Sequence, residues 1–391
     1  MRILISGAGI AGPTLAYWLA RYGMTPTLVE RAPRLRTGGY VVDFWGAGFE
    51  VAGRMELRPD LVRTGYAVRE VRVVDRNGRK VSGFPAAAFA RAVGSGFTSL
   101  PRGDLAAAIY GALGDTTEAI FGDTITRIDQ TGNDVQVTFE RHNPRTFDLV
   151  VGADGLHSRV RELVFGPEKQ FERYLGIKVA AFEAEGYRPR DELVYMMYPQ
   201  VGQEVSRFSM RNDRTMFLFT FADPDPTSPS DLAGQKAVLR KRFDRSGWEC
   251  PQILDALEAT PDLYFDRVSQ IEMNESWANG RVTLVGDAAS CVSLLGGQGS
   301  ALAMTAAYIL AGELHRAEGR YQKAFARYQQ LFGPFASMKQ RAARRFASGF
   351  APKSRLSLFL RNRLFGLFSI GWIARLIAGR EFNDRMALPD Y

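Results

Sequence analysis

Three glycine-centred stretches hold the residue types that could do chemistry in this chain. The first is Gly7-Ala8-Gly9-Ile10-Ala11-Gly12, with Glu30 eighteen residues beyond Gly12. The second is Gly152-Ala153-Asp154-Gly155, with Arg159 and Arg161 just after it. The third is Gly286-Asp287, followed by Gly297-Gln298-Gly299. Glycine has no Cβ, so a backbone of this kind can turn sharply and come close to a ligand. A helix opening there would offer free N–H groups and a positive dipole end to phosphate. A carboxylate at a strand end can accept hydrogen bonds from both hydroxyls of a ribose.

The flanking residues place these stretches on defined elements. RILIS (Arg2 to Ser6) reads as a short apolar strand, a helix runs from about Pro13 to Tyr22, and TPTLVERA is the next strand, ending at Glu30-Arg31. Strand, GxGxxG, helix, strand and acid together form the dinucleotide-binding fingerprint. Gly7 permits the turn, Gly9 the approach of a pyrophosphate, and Gly12 close packing of helix on strand. Glu30 selects against a 2′-phosphate at its position. On these residues alone NAD and FAD are equal candidates, because both carry adenosine diphosphate. FDLVV before Gly152 and VTLV before Gly286 are also strands, so both later Asp residues, Asp154 and Asp287, stand at strand ends.

Composition removes several classes. The chain has 391 residues, 46% hydrophobic and 24% charged, which is ordinary globular content and enough for two or three domains. The net charge of +8 suits anionic cofactors or a membrane surface, and no nucleic-acid motif accompanies it. His142, His157 and His315 lack ligand spacing, so no metal site is expected. Cys250 and Cys291 are far apart, which favours a reducing, cytoplasmic location over a disulfide framework. MRILISGAG enters a strand directly, with no apolar leader before it.

GAGIAG, GADGLHSRVR and GDAA…GGQG, in this order, resemble the three-part pattern of class A flavin-dependent monooxygenases of the para-hydroxybenzoate hydroxylase type. GGYVVDFWG (Gly38 to Gly46), LPRGDL (Leu100 to Leu105) and the stretch Ala307 to Phe335 look most like the tetracycline-inactivating and polyketide-hydroxylating branch. The resemblance implies an α/β fold: a Rossmann-like FAD-binding domain, an interleaved antiparallel β-sheet substrate domain and a C-terminal helical segment. The expected boundaries are 1–170 (with a sheet insertion near 65–100) and 268–335 for the FAD-binding domain, 171–267 for the substrate domain, and 336–391 for the C-terminal segment. It implies non-covalent FAD, with NADPH or NADH as co-substrate and O₂ delivered through a flavin C4a-hydroperoxide. Gly7, Gly9, Ile10, Ala11, Gly12, Glu30 and Arg31 would serve the adenosine end. Arg102 would stand near the ribityl-phosphate, Asp287 would hold the ribityl chain, and Asp154 would belong to a segment serving both FAD and NADPH. Gly286, Gly297, Gln298 and Gly299 would bring a helix N-terminus to the ring, with Asp43 on a loop that closes nearby. Arg31 or Arg36 is assigned a nicotinamide-phosphate role. No protein residue is assigned as catalytic.

Two departures stand out. Relatives often carry proline between GDAA and GQG, where ASCVSLL has Ser293 and Leu294, and a histidine or tyrosine where this chain has Ser290. Proline stiffens a loop, so its absence leaves the oxygen-reacting face open to alteration. Phe44-Trp45 also replaces a basic residue found in some relatives.

Between about Phe171 and Arg267 the pattern alternates apolar and polar residues, as in an antiparallel sheet. Tyr195, Met197, Tyr198, Met210, Phe217 and Phe219 are the candidate pocket residues, suited to a flat, largely apolar aromatic or polyketide-like molecule. Arg341 to Gly379 alternates arginine with apolar residues, and its uncharged run is too short to span a bilayer. This segment is expected to pack across the substrate domain, with peripheral membrane contact as the alternative. A monomer or dimer is expected. The rival readings are a flavin reductase or oxidase that inserts no oxygen, and a ligand-sequestering flavoprotein. A flavin halogenase is excluded, because the tryptophans lack the required Trp-x-Trp spacing.

Overall fold

The structure is a computed structural model that describes residues 1–35, 40–93, 96–367 and 386–391. Arg36, Gly38 and Gly39 lie outside the described residues, as do residues 368–385 of the basic C-terminal segment. The fold is mixed α/β, with two large sheets.

The first sheet is six-stranded and runs in the order Ala278–Asn279, Val282–Leu284, Leu149–Gly152, Arg2–Ser6, Thr25–Glu30, Glu118–Phe121. All its pairings are parallel except that of the first two strands. RILIS is buried from Ile3 onward, in one core with α1 (Ala11–Arg21) and a small three-stranded antiparallel sheet (Ile125–Gln130, Val135–Phe139, Arg145–Phe147), so an unbroken apolar strand is required there. Parallel neighbours need a crossover, and α1 supplies it between Arg2–Ser6 and Thr25–Glu30. Helices α2 (Gly46–Arg54), α3 (Arg102–Gly111) and α4 (Arg159–Phe165) complete this half.

The second sheet is seven-stranded and runs in the order Tyr264–Ile271, Glu172–Glu185, Arg214–Ala222, Gln203–Ser209, Val194–Gln200, Glu70–Val74, Lys80–Pro85. It is antiparallel except where Val194–Gln200 meets Glu70–Val74. Side chains alternate between its faces. Phe182, Phe217, Phe219, Phe221, Met196 and Tyr198 turn outward onto α5 (Leu232–Phe243) and α6 (Cys250–Ala259), where Leu239, Phe243, Ile253 and Leu257 enclose them. Tyr195 turns the other way and gathers with Tyr66, Phe208, Met210 and Met216. This corrects the expectation for Phe217, Phe219 and Tyr198. They are core residues on the far face, with Phe217 and Phe219 at 0% exposure, and they do not line a pocket toward the first sheet.

Helix α7 (Gly299–Arg316) is buried along most of its length between α1, α2 and α8 (Tyr321–Phe350). Its approach to α2 is close: a Cβ at Gly48 would stand 2.3 Å from the Ala301 Cα. Helix α9 (Arg355–Leu367) lies against the edge strand Lys80–Pro85. There Arg361 forms a 2.6 Å ion pair with Glu204, both buried, and Phe84 meets Phe365 edge-on at 5.9 Å. Of the described C-terminal segment, α9 therefore packs against the second sheet. Among the described residues no helix is long and apolar enough to cross a membrane.

Phe219 meets Phe243 edge-on at 4.9 Å, so Phe219→Ala leaves a cavity and should cost about 3–5 kcal/mol of stability. A denaturant titration reads this as a lowered midpoint. An unchanged midpoint would sink the assignment of Phe219 to the enclosed core.

Candidate active site

The carboxyl ends of the parallel strands converge on one edge of the first sheet, and the three glycine stretches leave from that edge. Backbone hydrogen bonds tie them together. Gly7 N–H donates to Val29 O at 2.7 Å, Ala153 N–H to Ser6 O at 2.8 Å, and Val285 N–H to Gly152 O at 2.9 Å. Gly7 sits at φ +105, and a Cβ on it would come 2.5 Å from Ala153 O. A Cβ on Gly12 would come 1.9 Å from Gly7 O. Gly9 is different: its missing Cβ meets only an Arg102 nitrogen at 3.5 Å, so its backbone faces open space beside a cation. Ile10 and Ala11 carry the chain into α1, whose first turn holds no acidic residue, and the same is true of α7 after Gln298 and Gly299. Neither first turn supplies a carboxylate of its own to the positive dipole end.

Glu30 is oriented through both oxygens, which accept from Ala8 N–H and Ala32 N–H at 2.9 Å each. Arg31 is exposed at the same strand end. Asp154 turns inward. It accepts from Ser158 Oγ, from Val160 N–H at 3.1 Å and from Ser6 Oγ at 3.4 Å, and so ties the start of α4 to the first strand. Burial pushes its carboxyl upward. Arg161, which carried no assigned role in the sequence, is fully buried. It donates to Ala288 O at 3.1 Å, Leu156 O at 2.7 Å and Glu168 at 2.9 Å, clamping the Asp154 segment to the Asp287 segment. Its position in the first turn after the second glycine stretch was visible in the sequence, but its partners were not.

Asp287 opens the short turn Asp287–Ser290 after Gly286, which takes φ +65. Burial raises the Asp287 carboxyl while the Arg102 charge opposes that rise. Arg102 N–H donates to Tyr40 O at 3.1 Å, and Tyr40 faces Tyr264 across 6.1 Å. Burial pushes the Tyr40 phenol up to about 12. Asp43 accepts from Ser99 Oγ at 2.5 Å, and burial raises it as well. Tyr40, Asp43, Tyr264 and Asp287 all retain accessible surface although protein surrounds them densely. That combination marks the wall of a deep cleft between the two sheets. Tyr195 and Met210 belong to the cluster on the cleft-facing side, and Met197 shares that face by alternation. Val41 N–H to Met216 Sδ at 3.1 Å joins the strand carrying Asp43 to this sheet.

The loop between Asp287 and α7 contains no proline, yet it is pinned. Gln340 Nε2 donates to Ile271 O at 2.7 Å and to Cys291 O at 3.0 Å. Gln270 Nε2 donates to Val292 O at 3.0 Å and to Gln340 O at 2.9 Å. Gly297, at φ +64, rests on Trp45, whose ring would stand 3.7 Å from a Cβ there. Ser293 takes φ +82, an uncommon conformation for a non-glycine residue. Its hydroxyl is buried without a protein partner, which leaves a hydrogen-bonding group for a bound cofactor or water to satisfy.

Comparison with known proteins decides the family. Residues 112–330 match the family described as FAD binding domain. A flavin-dependent monooxygenase from an unknown prokaryotic organism is 34% identical over 87% of each chain. The chain belongs to the flavin-dependent monooxygenases. An uncharacterised protein of Mycobacterium tuberculosis is 40% identical over 86% of this chain and 91% of its own length. The crystal structure of the tetracycline destructase Tet(51) superposes with a TM-score of 0.85 at 33% identity, covering 100% of this chain and 99% of that one. The cofactor of this monooxygenase is FAD, and the residues on the converging edge fit it: a turn that only glycine can make, an open backbone beside Arg102, an oriented Glu30 and two helix N-termini without acidic residues.

Two outcomes are expected. Gln340→Ala removes both donors to the Ile271 and Cys291 carbonyls, and should cost about 1–3 kcal/mol and loosen FAD measurably in a fluorescence titration. Unaltered FAD retention would show that the loop does not depend on this pin. His157, between Asp266 and Glu168, has its pKa raised to about 9 by hydrogen bonds first to Asp266 and then to Glu168. Its unfolded value is lower, so the stability it contributes is complete below about pH 6.5 and is lost as pH rises through about 9. Urea midpoints of the parent and His157→Gln should differ in mild acid and converge in alkali.

Proposed function

We propose that this flavin-dependent monooxygenase consumes NADPH or NADH and hydroxylates a flat, largely apolar aromatic or polyketide-like small molecule, with tetracycline-like compounds as the first class to try. The observation that carries this reading is the cleft walled by Tyr40, Tyr264 and Tyr195 beside Arg102 and Asp287, on a chain that matches a tetracycline destructase over both sheets. In this reading residues 1–170 and 268–335 form the FAD-binding domain, 171–267 the substrate domain and 336–391 the C-terminal segment, with 65–100 inserted into the first.

The glycine turn, with Gly7, Gly9, Ile10, Ala11 and Gly12, would hold the FAD pyrophosphate on the N-terminus of α1. Glu30 would hold the adenosine ribose, with Arg31 exposed beside it for the nicotinamide phosphate. Arg102 and Asp287 would grip the ribityl-phosphate stretch from opposite charges. Gly297, Gln298 and Gly299 would present the N-terminus of α7 to the side of the ring that becomes anionic on reduction. Asp43 would close the loop beside it. When bound, FAD supplies electron transfer and oxygen activation, which no side chain here can supply. The protein's part is to position the ring, orient the substrate with Tyr195, Met197 and Met210, and keep water out with apolar walls. Cys250 and Cys291, both buried and free, support a reducing cytoplasmic setting.

The test is NADPH oxidation by the FAD-loaded protein against tetracyclines, anthraquinones and simple phenols under ¹⁸O₂. A substrate-stimulated rate with one labelled oxygen in the product is expected. Substrate altered without label would overturn the hydroxylase reading. Asp287→Ala should lower FAD affinity at least tenfold.

A further inference from the structure

The segment Met386–Tyr391 leaves the substrate side altogether. It lies on the first half of the molecule, against α1, α2 and α7, and Met386, Leu388 and Tyr391 pack on the main core. The contacts are specific. Pro389 O accepts from Arg54 Nη1 at 2.9 Å and from Tyr308 Oη at 2.8 Å. Asp390 pairs with Arg54 at 3.1 Å, and its carbonyl accepts from Arg316. The Tyr391 ring meets Tyr308 edge-on at 5.3 Å, lies under the Arg316 guanidinium at 4.4 Å and donates its hydroxyl to Glu313 at 2.9 Å.

Two features of the receiving surface show that it is shaped for this ring. Gly312 lies inside α7, where glycine weakens a helix relative to alanine, yet a Cβ there would fall 2.1 Å from the Tyr391 ring. Glu313, 6% exposed on the same helix, accepts from the Tyr391 hydroxyl and has Arg316 3.8 Å away. A cavity of about 440 Å³ continues beside the seated residues, lined by Trp18, Arg21, Tyr22 and Arg54.

We propose that the groove of α1, α2 and α7 is a peptide-docking site whose ligand is this chain's own segment Met386–Tyr391, read through the aromatic ring on Gly312 and the Pro389 carbonyl on Arg54.

The test uses the FAD-loaded chain shortened to end at residue 385, and a fluorescein-labelled Met-Ala-Leu-Pro-Asp-Tyr peptide on a Gly-Ser linker. Fluorescence anisotropy should show saturable binding to the shortened chain. Binding to the intact chain should be at least tenfold weaker, because a tethered segment competes at an effective concentration of about millimolar. Gly312→Ala in the shortened chain, and Tyr391→Ala in the peptide, should each abolish binding. Alanine is the better helix former, so the Gly312→Ala chain stays folded, and circular dichroism checks that it does. Equal binding to intact and shortened chains, binding that survives Gly312→Ala, or no binding to the shortened chain would each overturn the proposal.

Discussion

The structure depends on one constraint: parallel strands must all deliver their carboxyl ends to the same edge. Because α1 crosses over and returns, Ser6 and Glu30 end side by side, and Gly152 and Leu284 end beside them. The chain must then turn sharply at each of these points while its neighbours do the same. Gly7 shows how little room there is, with its absent Cβ 2.5 Å from Ala153 O. A turn so crowded from below presents its remaining N–H groups upward, where a phosphate is the natural partner. Glycine spacing, strand order and cofactor class are therefore three views of one steric fact.

This explains why the dinucleotide half was legible from residues alone. The fingerprint is local: Gly7 to Glu30 spans one strand–helix–strand unit whose geometry is set within the unit. The second sheet was legible as a sheet, because alternation sets the period. Its facing was not. Period-two alternation says that Tyr195 and Met196 point apart, but not which of them meets α5 and α6 and which meets the cleft. Phe217 and Phe219 read as pocket residues because an aromatic ring on a strand has the same appearance on either face. What decides between them is the pair of helices that arrives later in the chain, bringing Leu239, Phe243 and Ile253 to one side only.

The proline-free loop makes the same point in reverse. Locally, ASCVSLL lacks the proline that would stiffen it. In the fold the stiffness comes from distant residues. Gln270 and Gln340 grip the Val292, Cys291 and Ile271 carbonyls from a strand of the second sheet and from α8. Proline restricts a loop by narrowing φ, whereas buried amides restrict it by holding carbonyls that would otherwise be unsatisfied. A glutamine in a long helix gives no hint of this in the sequence, because its partners lie many residues away and on other elements.

The charged groups around α4 show how the two halves are made to act as one body. Glu168 accepts from Arg161, whose guanidinium also holds Ala288 O next to Asp287, and from Arg267 on the second sheet. His157 adds a second link, lying between Glu168 and Asp266. Arg161 is fully buried, so leaving its charge unpaired would be costly, and the carboxylate it shares with Arg267 ties the two arginines to one position. Arg267, Glu168 and Arg161 thus form a continuous chain of contacts from the second sheet to the segment that opens with Asp287.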